Sequence, residues 1–171
     1  MKIKLKIYLL SYIVFSILMI TLGYFYTKDS GLQVNFHKLH LKDAALIFGF
    51  NYSQILIWLL LSPILLSLPL IGKFLFSIGE GPQLTSIDAH TYYLSSLTHG
   101  LGELVVGFLV YYFTIEQLLA WIHFFRTRDN TKLKELYLYS LKKVIPLITI
   151  ILIFSALCEV YISNTLFLKF K

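Results

Sequence analysis

Three stretches of this chain, residues 7–26, 44–78 and 144–166, are almost unbroken runs of apolar side chains. A bilayer's hydrocarbon core is about 30 Å thick and takes about 20 apolar residues to cross as a helix. Lipid offers the backbone no hydrogen-bond partners, so runs of this kind can only be helical or belong to a closed barrel. Their length is far beyond that of a barrel strand. Composition points the same way: 57% of the 171 residues are hydrophobic and 14% are charged, against about 25% charged in soluble domains. A chain so poor in polar side chains cannot cover a surface that faces water. The expected fold is all-α, a polytopic transmembrane helical bundle forming one integral membrane domain over residues 1–171.

Punctuation divides the runs. The first span is 7–26, preceded by Lys2, Lys4 and Lys6. It has the outline of a signal peptide, but it is long enough to cross and no small-x-small site follows it, so it reads as an uncleaved helix. A polar stretch, 27–42, opens with the turn signal Lys28-Asp29-Ser30-Gly31 and carries His37, Lys38 and His40. Residues 44–78 are too long for one span and contain Pro63, Pro69 and Gly72. They divide into a helix ending near Leu66 and a short one over 68–78, stopped by Gly79-Glu80-Gly81-Pro82. A fourth helix is expected over 92–121 and a last one over 144–166, with Pro146 tolerated near its start. That makes about five spans, the third short or re-entrant.

Charge selects among topologies. The formal net charge is +6, but the basic residues flank apolar runs rather than lining a groove, so nucleic acid is excluded as a partner. If the third helix crosses, Lys2, Lys4 and Lys6 share a side with Arg126, Arg128, Lys132, Lys134, Lys142 and Lys143. The 80–88 loop, which has no Lys or Arg, then lies opposite. Cytoplasmic loops carry the excess of Lys and Arg, so five crossings with the N-terminus cytoplasmic are expected, although Lys169 and Lys171 run against the pattern. The basic loop is a topogenic signal, or a docking face for anionic lipid or an acidic partner.

The informative residues are the polar ones inside these runs. A charge at mid-bilayer costs about 2.5–3.5 kcal/mol on insertion scales, so Glu103 and Glu159 should face other helices. Ser96, Gly100, Glu103 and Gly107 follow one helical face, with His99 one turn before Glu103. Small residues on such a face allow close helix approach, and polar ones can then bond across it. Ser155, Glu159 and Ser163 repeat the pattern on the last helix, and the two faces are expected to meet. Asn51 would cap or bridge helices, and Lys73 would either snorkel or pair with Glu103. The cluster could serve as interhelical hydrogen bonding or as a proton- or substrate-handling site. Two candidate ligands are too few for a metal, and His-Glu-x-x-His is absent. Cys158 stands alone, so a disulfide within the chain is impossible. No nucleophile–base pair or phosphate-binding glycine loop is recognisable, and no cofactor or enzyme activity is expected.

Thr98-His99-Gly100-Leu101-Gly102-Glu103-Leu104 resembles the His-Gly-x-x-Glu signature of the stage II sporulation protein M family. Asn51, Ile71-Gly72-Lys73 and Ala156-Leu157-Cys158-Glu159-Val160 resemble the family's other landmarks in order, with Ile71-Gly72 where the family usually has Asn-Gly. The resemblance spans residues 44–163. It implies a non-catalytic multi-helix subunit of a bacterial cytoplasmic membrane complex. One such setting is a Gram-positive sporulation complex with cell-wall hydrolases. The other is a circular-bacteriocin cluster, where small relatives stand beside an ABC-type ATPase in maturation, export or immunity. A short chain suits the second better. Self-association into a homo-oligomer fits either.

Overall fold

The computed structural model describes residues 2–28 and 37–170, without the side chains of residues 2, 3 and 170. It is all-α, with no strand among the described residues. Helix α1 is Lys2–Tyr26, α2 Leu41–Leu61, α3 Ser67–Thr85 and α4 Ala89–Thr127. One long final helix follows: α5 Thr131–Tyr139, α6 Ile145–Cys158 and α7 Asn164–Phe170, joined without a break by π-helical turns at Ser140–Val144 and Glu159–Ser163. Four of these units are long and apolar enough to cross a membrane: Lys4–Tyr26, Leu41–Ile64, Ala89–Thr127 and Thr131–Lys169. The chain is a membrane protein. Its outer surface agrees, since Leu10, Phe25, Leu46, Phe50 and Leu60 each stand more than 60% exposed, a distribution suited to lipid and not to water.

Local chemistry sets the boundaries. Asp43 accepts a hydrogen bond from the His40 backbone N–H at 2.6 Å, starting α2. Pro63 ends α2 in a single tight turn, Ser62–Ile64, and Leu65 (φ 62°) reverses the chain with its amide on the Ser62 carbonyl. Asp88 caps α4 through the Thr91 N–H at 3.1 Å. Asp129 accepts both the Thr131 hydroxyl (2.6 Å) and the Thr131 N–H (2.9 Å), which starts α5. Those hydrogen bonds from Thr131, the hydroxyl's foremost, hold the exposed Asp129 carboxyl below its ordinary range.

Three expected boundaries are corrected. The Gly79-Glu80-Gly81-Pro82 run does not stop α3, which continues through Pro82 to Thr85. Its glycines are contact surfaces instead. A Cβ on Gly79 would lie 2.0 Å from the Ile20 carbonyl oxygen, and one on Gly23 2.1 Å from that of Phe76. Helices α1 and α3 thus cross backbone to backbone, which only paired glycines allow. The last helix begins not near Val144 but at Thr131, and Pro146 lies within it, directly after the first π turn. Helix α4 runs three residues earlier and six later than 92–121.

Helix α3 has 19 residues, about 28 Å at 1.5 Å per residue. It is not the dozen-residue stub expected, though its polar C-terminal half keeps it out of the four apolar units. Contacts fix the directions. Gly72 faces Phe15 and Gly79 faces Ile20, so α1 and α3 are parallel. Tyr8 with Tyr112 and Tyr12 with the Leu104 carbonyl run in opposite order, so α1 and α4 are antiparallel. Gln117 with Tyr137, Gly102 with Ser155 and Thr98 with Ser163 do the same for α4 and the last helix, while Asn51 with Glu103 and Ser62 with Gln117 make α2 parallel to α4. Successive units alternate. The N-terminal lysines and the turn at 128–130 therefore lie at one end of the bundle, and the turn at 86–88 and residue 170 at the other.

The interior is stratified along this axis. A middle layer is purely apolar and fully buried: Ile71, Leu75, Val106, Val110, Ile148 and Leu152. Toward the basic end lies a buried polar layer. Ser67 Oγ bonds Thr114 Oγ1 at 2.9 Å, and the fully buried Gln117 amide bridges Ser62 and Tyr137. Toward the other end lies the cluster around Glu103.

Replacing Gly23 or Gly79 by Leu should separate α1 from α3. We expect a loss of roughly 1–3 kcal/mol or more, read as a lower melting temperature in detergent. Gly100→Ala, where the added Cβ meets nothing within 4 Å, should be neutral or stabilise by up to about 1 kcal/mol.

Candidate functional site

Helix α4 carries the centre of the site. His99 and Glu103 lie four residues apart, one turn, and therefore project side by side. Asn51 of α2 donates through Nδ2 to Glu103 Oε1 at 2.7 Å. His99 Nδ1 lies 2.8 Å from Ser163 Oγ, which also bonds Thr98 Oγ1 at 3.2 Å. Ser155 Oγ donates to the His99 carbonyl at 3.2 Å. The two serine-bearing turns of the last helix thus clamp the His99 turn of α4, as the matching patterns required. The close approach uses other small residues than expected, however. A Cβ on Gly102 would lie 2.0 Å from Ser155 Oγ, whereas Gly100 has open space in front of it. Gly107 accommodates the Tyr12 hydroxyl from α1, and that hydroxyl donates to the Leu104 carbonyl at 3.0 Å.

Three clefts meet at these side chains. One, about 420 Å³, is lined by Leu46, Phe50, Asn51, His99, Glu103 and Glu159. A second, about 500 Å³, lies between α3 and α4, with Phe74, Tyr92, Ser96, His99, Gly100 and Glu103 on its wall. A third, about 240 Å³, leads to the end of the bundle past Thr85, Ser96, His99, Glu159, Ser163 and Asn164. His99 borders all three. Glu159, Ser96 and Gly100 are therefore cleft-wall residues, each within the same polar chamber as Glu103. Beyond it toward the basic end, the space beside Asn51, Gln54 and Glu103 shrinks to about 20 Å³ against Ile55, Trp58, Val106 and Leu152.

Lys73 does not pair with Glu103. It stands exposed on α3 and lines none of these clefts. Arg126, Arg128, Lys132, Lys134, Lys142 and Lys143 are all exposed at the far end, well away from the carboxylates. His37 and His40 are exposed, and most of the Lys28-Asp29-Ser30-Gly31 turn signal falls outside the described residues. Among the described residues no group of three or more His, Cys, Asp and Glu is placed to hold a metal ion.

No family model matches the chain, and no curated protein or solved structure matches it.

Two features were missed in the sequence. One is Asn164, buried in the wall, whose Oδ1 accepts the Leu39 N–H at 3.0 Å and whose Nδ2 donates to the His37 carbonyl at 3.1 Å. The other is the His99–Ser163 contact itself, a base beside a hydroxyl. It lacks what a nucleophile needs: Ser163 is 1% exposed and is shared with Thr98. Among the described residues no carboxylate is hydrogen-bonded to the second ring nitrogen. The pair is a tie between helices.

Asn51→Ala should cost about 1–2 kcal/mol, the upper range for an interhelical bond in a membrane. Glu103→Gln retains an acceptor for the Asn51 amide and should cost less. Thermal unfolding of both variants in one detergent checks the order.

Proposed function

We propose that this chain is a non-catalytic, multi-pass subunit of a bacterial cytoplasmic membrane complex. Its N-terminus and basic loop are cytoplasmic, and it acts through the polar chamber around Glu103. The reading rests on one observation: His99, Glu103 and Glu159 face clefts that open through the bundle wall, where groups from outside the chain can reach them. Polar groups that merely hold helices together need no such access, as the closed Ser62–Gln117–Tyr137 and Ser67–Thr114 ties illustrate. Gathering His99, Gly100 and Glu103 on one wall also gives the stage II sporulation protein M-like motif a shared task. By that resemblance the setting is bacteriocin maturation, export or immunity beside an ABC-type ATPase. The sporulation complex with cell-wall hydrolases is the nearest alternative.

A second reading, a self-contained proton-coupled carrier, draws support from the same carboxylates, because no Lys or Arg lines their clefts. Pull-down of the tagged protein from its native membrane in mild detergent separates the two. Recovery of an ATPase or a wall hydrolase, reduced by Glu103→Ala, is the expected result. A folded protein that brings down no partner would leave the carrier reading.

The exposed residues Arg126, Arg128, Lys132 and Lys134 would form the cytoplasmic docking face. Reversing these four charges should cut partner recovery several-fold while the protein still inserts and melts normally. Undiminished recovery would remove the docking role.

A further inference from the structure

We propose that the chamber is a binding site for an amphipathic organic cation, one whose apolar body enters from the membrane and whose charged head lodges between Glu103 and Glu159. This deepens the reading of the chamber as the acting site and rests on it. Shape and polarity carry the inference together.

The two lateral clefts, about 420 and 500 Å³, fall in the size range of small-molecule sites. Their outer walls are apolar and face the lipid side: Leu46 and Phe50 are each 71% exposed, and Leu97 and Leu101 each just over half. The smaller ends on Glu103, Glu159, His99 and Asn51, and the larger on Glu103 and His99. A ligand that fits must therefore be apolar over most of its length and polar at one end. The sign of that end follows from what is missing around the carboxylates. None of the residues lining the clefts is Lys or Arg. The hydrogen bond that Glu103 receives comes from a neutral amide, Asn51, and His99 Nδ1 is taken up by Ser163. A cation supplies what the chain withholds, and Tyr92, Tyr93 and Phe74 on the wall offer aromatic faces to it. A small metal ion fits poorly, because the described residues hold no three-ligand group for one.

The chamber is also one-sided. It opens sideways and toward the Thr85–Asn164 end, while the layer of Ile71, Leu75, Val106, Val110, Ile148 and Leu152 seals it from the basic end. The cation would thus arrive from the membrane or from the face opposite the basic loop.

Gly100 allows a clean test. It lines the larger cleft, and a Cβ there meets nothing within 4 Å. Gly100→Leu therefore fills the cleft while leaving both carboxylates and the helix packing in place. The full-length protein in detergent would be titrated with tetraphenylphosphonium by equilibrium dialysis. Tetraphenylborate, of matched shape and opposite sign, is the control. Saturable binding of the phosphonium, at least tenfold weaker in the Glu103→Gln/Glu159→Gln double variant and weaker in Gly100→Leu, which closes one of the two lateral clefts, with none of the borate, is the expected result. Binding that does not saturate, that survives the double variant unchanged, or that the borate matches would overturn the proposal. Failure here with partners still recovered in the pull-down removes only the cation site. Failure to recover partners removes the subunit reading whatever the phosphonium does.

Discussion

A polar side chain buried in the bilayer is costly unless it is hydrogen-bonded, and the side-chain bonds that join one helix of this chain to another converge on α4. Its 39 residues run about 58 Å, far longer than the hydrocarbon core. Each neighbour is fastened to it by hydrogen bonds at a different height. Helix α2 uses Asn51, the turn after it Ser62, α3 Ser67, α1 Tyr12, and the last helix Tyr137, Ser155 and Ser163. Lipid supplies no hydrophobic drive between helices, so such bonds and close small-residue contacts decide the arrangement. The apolar middle layer packs because these fasteners above and below it set the register.

The fold class was legible because hydrocarbon thickness leaves so few alternatives. The alternation of helix directions followed from charge, and the packing agrees with it. Boundaries were less legible. A glycine-proline run normally ends a helix, and nothing local in Gly79-Glu80-Gly81-Pro82 reveals that Ile20 and Tyr24 lie against Gly79 and that the Tyr92 ring covers Gly81. Tertiary contact overrides local propensity there.

The site was readable in part for a related reason. His99 and Glu103 are conspicuous, since charge inside an apolar run is costly. The roles of the glycines were not, because sequence spacing gives a face but not the phase of the opposing helix. Gly100 and Gly102 differ by two positions, and the phase makes one a packing surface and the other a cleft wall. Asn164 was invisible for a geometric reason. At α-helical spacing it points well away from Glu159, and only a wider turn brings the fifth residue back over the first.

That wider turn gives the last helix an unusual mechanical property. A π turn is a stretch where the helix holds one residue more than its regular ladder needs, and Glu159 and Ser163 are the two ends of that surplus. Were the surplus to migrate along the helix, each residue it passed would swing by about 100°, the rotation per residue of a 3.6-residue turn. Glu159 would leave the chamber floor, and Ser163 would let go of His99, with no helix moving as a whole. The polarity of the chamber would then change with the winding of one helix. Such a shift would also turn Asn164, directly after the π turn, away from the backbone at His37 and Leu39 to which it is hydrogen-bonded.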